Sequence, residues 1–207
     1  MNFDLEDADT TVAKGATSIY FSNTVILGMN TVYFIIIANL FSTAEIGIYA
    51  GMQLIIFGSS TLTNLSLPQI IPTNIMIPHA VTKLIPEFLG RNEKGKATRS
   101  FFIILLISLS IATILTFLIY ILAEPISQTL FRGEAEVLWI HLLALDTWIF
   151  SMGQVFYGGL VGLKRAPRAS LFLVISFAVK YILGASLVIA GQGLLGIIIA
   201  FVIGDMV

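Results

Sequence analysis

The chain has 207 residues, of which 57% are apolar and only 11% charged, with a mean hydropathy of +0.96. Soluble domains carry about 25% charged residues, so this sequence lacks the side chains to cover a water-facing surface and reads as an integral membrane protein. A net charge of -1 excludes the basic field that binding of nucleic acid requires, and zero cysteines with two histidines leave no basis for a thiolate, disulfide or His-rich metal centre. Neither a cofactor nor a metal is expected.

A hydrocarbon core of roughly 30 Å needs about 20 apolar helical residues to cross it. The uncharged stretch from Gly15 to Ala44 holds the first span, over 16–41. Before it, residues 1–15 form an acidic tail with Asp4, Glu6, Asp7 and Asp9 where a signal peptide carries bases, and the tail is expected to be solvated and cytoplasmic. The next uncharged run, Ile46 to Thr82, would measure about 55 Å as one helix, too long for a simple crossing. Gly58-Ser59-Ser60-Thr61 and then Pro68, Pro72, Pro78 and Pro86 predict a bent helix, a span over 46–67 whose proline-rich continuation to about 89 leaves the membrane.

A third span over 100–123 follows the charged turn Gly90-Arg91-Asn92-Glu93-Lys94-Gly95-Lys96. A fourth over 137–163 contains Asp146, and a fifth over 169–190 contains Lys180. Gly191-Gln192-Gly193 turns the chain into a sixth apolar segment, 194–207, which at about 21 Å is shorter than the apolar thickness and is expected to be cut short. The fold class expected is therefore all-α: a polytopic bundle of six spans over 16–207, part of a longer protein.

Basic residues orient it. With the N-terminus in the cytoplasm, that side receives Lys14, Lys83, Arg91, Lys94, Lys96, Arg99, Lys164, Arg165 and Arg168, and the other side only Arg132. Such asymmetry is the positive-inside pattern of a multi-pass protein of the cell membrane. The basic turn from Arg91 to Arg99 can attract anionic lipid headgroups or a pyrophosphate, though topology alone explains it.

Charges kept at membrane depth are the natural functional candidates. Lys180 and Asp146 sit at depths that differ by about 8 Å, within reach of a lysine stem, so adjacent antiparallel spans can pair them. Two readings stand: Lys180 faces an anionic substrate group with Asp146 balancing it or accepting protons, or the pair is structural. Asn23 and Asn30 share one face of the first span, and Gln53, Ser60 and Asn64 one face of the second, outlining either a wet cavity or interhelical hydrogen bonding. Gly158 with Gly162, and Gly51 with Gly58, read as close-packing positions. Trp139 reads as an interfacial anchor, and His79 and His141 as interfacial or hydrogen-bonded residues. Asp7-Ala8-Asp9 mimics an acidic metal-nucleotide motif of some glycosyltransferases, but no Gly-rich phosphate loop, HExxH or nucleophile elbow accompanies it, and the chain is not expected to be an enzyme.

The stretch Leu40-Phe41-Ser42-Thr43-Ala44-Glu45-Ile46-Gly47-Ile48-Tyr49-Ala50 resembles the L-x-x-x-E-x-G-x-Y-A link between the first two spans of polysaccharide and oligosaccharide flippases in the MATE-like (multidrug/oligosaccharidyl-lipid/polysaccharide) exporter superfamily. Ile85-Pro86-Glu87-Phe88-Leu89-Gly90-Arg91-Asn92-Glu93 is similar to their second inner helix end and turn, Gly159 to Arg165 to their fourth-span exit, and Gly191 to Gly196 to the last outer turn of their first lobe. The resemblance covers nearly the whole chain from about Ala16. It implies one lobe of a 12–14-helix transporter that moves a lipid-linked oligosaccharide or polysaccharide precursor by alternating access. Its implied partners are a polyprenyl-phosphate-linked glycan, membrane lipids and a C-terminal lobe of the same chain. On that pattern Lys180 would meet the anionic headgroup, and Asn23, Asn30, Gln53 and Asn64 would offer hydrogen bonds to sugars. The multidrug branch often has a carboxylate in its first span, where this chain offers Asn30. A cation-coupled drug antiporter, and a noncatalytic subunit of a glycan-assembly complex, are the alternative readings.

Overall fold

The computed structural model describes residues 5–63 and 79–207, with side chains described for 13–59 and 81–207. Among the described residues all regular structure is helical: α1 (Leu5–Leu40), α2 (Thr43–Thr63), α3 (His79–Gly90), α4 (Lys94–Ile121), α5 (Ala123–Leu130), α6 (Val137–Gly162), α7 (Ala166–Leu187), a π turn at Val188–Gln192, and α8 (Gly193–Met206). The all-α expectation holds. Asn64 and the prolines at 68, 72 and 78 lie outside the described residues, as do the side chains of Asp7, Asp9, Ser60 and His79.

Several boundaries differ from expectation. The acidic tail expected as a solvated segment is helical from Leu5 and continuous with α1. The described end of the proline-rich continuation is helical: it is α3, whose Val81 and Ile85 bury against α4 and α6. The helix α4 starts at Lys94 rather than at 100, so its first turns carry Lys94, Lys96 and Arg99 beyond the apolar stretch. The short α5 has no counterpart in the expected spans; it turns the chain between α4 and α6 and buries Ala123 and Ser127.

Helix starts and stops explain these breaks. At the α1–α2 corner Ser42 and Glu45 form a capping box: the Ser42 backbone N–H and hydroxyl each donate to Glu45 Oε2 at 2.8 Å, and the Glu45 N–H donates to Ser42 Oγ at 3.3 Å. These bonds hold the exposed Glu45 carboxyl below the usual carboxylate range. At the end of α6 the Arg165 N–H donates to the Leu160 carbonyl and the Lys164 N–H to the Val161 carbonyl, both at 2.9 Å, with Lys164 at φ 59°. That is a Schellman stop with lysine where glycine is usual. The α3 end repeats it with Asn92 at φ 60°. Gly191, at φ 87°, breaks what would otherwise be one long helix into α7 and α8.

The surface is inverted relative to a soluble protein. On α4, Phe102, Leu106 and Phe117 are 54%, 60% and 62% exposed, and on α7 Ile182 is 69% exposed. Apolar side chains exposed on this scale need lipid around them. Among the described residues three segments are long and apolar enough to cross a membrane: residues 13–40, 94–121, and 166–206, the last being the α7–α8 pair. Half of the 26 residues of α6 are buried, and it carries Asp146, Thr147, Ser151 and Gln154 inside the bundle. It is the central helix, with α2, α3, α4, α7 and α8 all packed on it, and its polarity is what keeps it from reading as a lipid-facing span.

Consecutive helices do not always pack together. The helix α1 leans along α7, while α2 leans on α6 and α4, so α1 and α2 diverge from their shared corner. Small residues set the close approaches. A Cβ at Gly184 would stand 2.6 Å from the Tyr33 hydroxyl, one at Gly159 2.8 Å from the Phe101 ring, and one at Gly51 2.7 Å from the Phe131 ring. Gly162 is similarly tight against Val81 and Ile85, as expected of a packing position, whereas Gly58 faces open space.

Candidate functional site

The divergence of α1 from α2 opens a cavity of about 550 Å³ bounded by α1, α2, α6, α7 and α8. From α1 it receives Asn30, Thr31 and Phe34, and from α2 Tyr49, Gln53 and Phe57. Its floor is Phe150 of α6, Phe177, Lys180 and Tyr181 of α7, and Phe201 of α8. Amide groups therefore stand on one wall and its opposite, and seven aromatic rings fill the space between. Aromatic faces and amides together suit a ligand with both apolar C–H surface and hydroxyls.

Lys180 is only 4% exposed, yet its ammonium is multiply satisfied. Its Nζ lies 2.6 Å from Asp205 Oδ1 and 5.0, 4.9 and 5.4 Å from the ring centroids of Phe150, Phe177 and Phe201. A cation inside three aromatic faces is held by their quadrupoles as well as by its counter-ion. The pairing is possible because α7 and α8 touch closely here. A Cβ at Gly204 would collide with Lys180 Cγ and stand 3.0 Å from the Ser176 carbonyl, and the Ser176 hydroxyl donates to the Gly204 carbonyl at 2.7 Å.

The ion pair expected between Lys180 and Asp146 is thus corrected: the carboxylate in contact with Lys180 is Asp205. Asp146 is 0% exposed and close enough to act electrostatically on both Asp205 and Lys180, with its carboxyl in hydrogen-bonding reach of Asp205. With α6 ending at Gly162 and α7 starting at Ala166, Asp146 and Lys180 stand about 24 and 21 Å from the ends that carry the basic loops, nearer in depth than the sequence spans implied. Sequence reasoning passed over Asp205 although it is the one charged residue in the last apolar segment, the same signal that marked Asp146 and Lys180.

A smaller cavity of about 270 Å³ shares Phe150 and Phe177 with the first and is lined also by Gln154, Tyr157, Ser176 and Asp205. Its α6 and α7 residues lie toward the basic-loop ends of those helices, whereas the large cavity lies toward the α1–α2 corner. Phe150, Phe177 and the Lys180–Asp205 pair separate the two.

A family model described as "Polysaccharide biosynthesis protein" matches residues 12–207. The chain belongs to the polysaccharide biosynthesis protein family. No curated protein and no solved structure matches it. As a membrane member of the polysaccharide biosynthesis family, it brings Asn30, Gln53 and Lys180 of the sequence candidates to one cavity. Asn23 is not among the lining residues; it lies two turns down α1, with its carbonyl oxygen buried and without a donor. Asp146 lies behind the floor, and Ser60 and Asn64 fall outside the described side chains. Interhelical hydrogen bonds come from other residues: Thr116 donates to the Ala144 carbonyl at 3.1 Å, and Trp148 Nε1 to Thr113 Oγ1 at 3.1 Å. His141 stacks on Tyr120, ring centroids 4.0 Å apart. The cavity aromatics were not singled out from sequence, because Phe and Tyr at helical spacing look the same whether they face lipid, core or cavity.

Proposed function

We propose that the chain is the first lobe of a lipid-linked glycan flippase of the MATE-like architecture, with six spans, the N-terminus in the cytoplasm and a second lobe completing the transporter in the cell membrane. It is a transporter and not an enzyme. One observation carries this reading: the large cavity joins an ammonium at mid-depth, Lys180, to amides and aromatic rings. An anionic isoprenoid phosphate meets the ammonium, and the sugars it carries meet Asn30, Gln53 and the ring faces. Membership of the polysaccharide biosynthesis family supports a glycan as cargo.

With the basic loops placed inside, the large cavity lies in the outer half of the membrane and the small one in the inner half. Alternating access requires the floor of Phe150, Phe177 and the Lys180–Asp205 pair to open on the inner side. The test is leaflet-resolved. Depleting the complete protein and measuring lipid-linked oligosaccharide on each leaflet is expected to show accumulation on the inner one, relieved by wild type and not by Lys180→Ala. An unchanged distribution, with no redundant flippase, rejects the function. In that case substrate-driven proton or sodium flux would mark a drug antiporter.

A further inference from the structure

Three ionisable groups are buried near one another: Lys180 on α7, which lines the large cavity, Asp205 on α8, which lines the small one, and Asp146 on α6. With every group ionised they carry one excess negative charge in a buried site, and an uncompensated buried charge is among the costliest arrangements in a protein. The hydrogen bonding shows the same deficit. Lys180 satisfies Asp205 Oδ1, but among the described residues no N–H or O–H donor reaches Asp205 Oδ2 or either oxygen of Asp146. The two carboxyls are nevertheless in reach of each other. Two carboxylates accept only, whereas a carboxylic acid and a carboxylate form a strong hydrogen bond.

We infer that Asp146 and Asp205 form a one-proton site that controls Lys180, so that taking up a second proton releases the lysine from Asp205 to an anionic group in the large cavity. The inference rests on the reading of Lys180 as the headgroup ligand. In the resting state the carboxyl pair holds one proton and one charge, and Lys180 neutralises that charge. When an isoprenoid phosphate enters the large cavity, its oxygens replace Asp205 as the counter-ion. The Asp146–Asp205 pair, left with an unpaired negative charge, takes a proton from water. Asp205 lines the small cavity. The aromatic cage keeps the ammonium at the floor through the exchange, since the three rings line the same place whichever anion is present. Proton and anion binding are then linked, and the anion binds up to about tenfold more tightly per unit fall in pH.

Other titratable groups packed near the site are phenols: Tyr33 on α1, Tyr49 on α2, Tyr157 on α6 and Tyr181 on α7. The nearest ones on α4 and α3 are remote from it, Tyr120 stacking on His141 and Lys83 and Glu87 belonging to the basic-loop end. A bound metal ion is a poorer fit than a proton, because among the described residues no third His, Cys, Asp or Glu joins the two acids and the ammonium stands 2.6 Å from one of them.

Infrared difference spectroscopy on the complete protein in lipid bilayers tests this, because only a protonated carboxyl gives a carboxylic C=O band. Wild type at pH 7 is expected to show one such buried band. Both Asp146→Asn and Asp205→Asn, checked for folding by gel filtration, are expected to lose it, since either variant leaves one acid ionised opposite Lys180. Two independent acids would behave differently: a band surviving in Asp205→Asn overturns the sharing. Farnesyl phosphate, whose own protonation gives no carboxyl band, is expected to add a second protonated carboxyl in wild type and none in Lys180→Met. Absence of the resting band, its loss on adding sodium, or no change with farnesyl phosphate each overturns the proposal while leaving the leaflet assay to decide the flippase reading. A proton response to farnesyl phosphate in a protein that moves no lipid would reject the flippase reading alone.

Discussion

Lys180 Nζ and Asp205 Oδ1 are 2.6 Å apart in a bundle interior where each side chain is at most 6% exposed. Removing one member of such a pair leaves the other uncompensated, which costs about 3 to 5 kcal/mol, whereas replacing both by neutral groups of similar volume is close to neutral. Lys180→Met is therefore expected to lose about 3 kcal/mol in a reversible unfolding assay in mixed micelles, and Lys180→Met with Asp205→Asn to recover at least half of it. Additive losses in the double variant would show that the contact contributes no pairwise energy.

Asp205 reaches Lys180 only because Gly204 lets α8 lie against the Ser176 and Lys180 backbone. The collision a Cβ would make there is with the lysine stem and with main-chain atoms that cannot swing away. Gly204→Val is expected to cost about 1 to 3 kcal/mol by overpacking, and to disturb the ion pair with it. Gly58→Ala, also helical but facing open space, is expected to be neutral or stabilising by about 0.5 to 1 kcal/mol. Equal thermal shifts in the two variants would contradict the geometry.

The sequence held local information openly and tertiary information only in outline. The motifs that carried the family resemblance are largely helix punctuation: Ser42 to Glu45 is a capping box, Leu160 to Arg165 and Phe88 to Glu93 are Schellman stops, and Gly191 is a positive-φ break. Punctuation acts through local backbone hydrogen bonds, so it is legible residue by residue and marks where helices begin and end. The site is built differently. Lys180 and Asp146 stood out because charges are scarce at that depth, but which acid faces the lysine depends on how α6, α7 and α8 rotate against one another, a tertiary property. Asn23 and Asn30 show the same limit, since a seven-residue spacing puts them on one face but about 10 Å apart along the helix, and only Asn30 reaches the cavity.

Glu45 offers a pH signature outside the membrane core. Hydrogen bonds from Ser42 favour its charged form and lower its folded value below the ordinary 4.5. A lowered carboxyl stabilises the fold fully above that ordinary value, and the contribution disappears as pH falls through the lower folded one. Between pH 7 and 5 the Ser42–Glu45 box is thus expected to contribute constantly, with its loss confined to pH below about 4.5. Melting temperatures of wild type and Glu45→Gln measured across this range should differ most at pH 7 and converge toward pH 3. A difference that grows on acidification would contradict the assigned direction.

The 207 residues contain no cysteine, so a thiol engineered among them adds a single reporter of side and depth to this segment. With the N-terminus inside, a membrane-impermeant maleimide added to intact cells is expected to label Arg132→Cys, and to label Lys94→Cys only after permeabilisation. The cavity adds a finer requirement. Gln53 and Asn30 line open volume on opposite walls, whereas Val155 is 0% exposed inside the bundle. Gln53→Cys and Asn30→Cys should therefore react from the outside at least about tenfold faster than Val155→Cys, whose labelling must await local opening. Farnesyl phosphate seated against Lys180 would shield both cavity thiols together and leave Arg132→Cys untouched. Protection of one wall alone would place the ligand elsewhere than the space between α1 and α2.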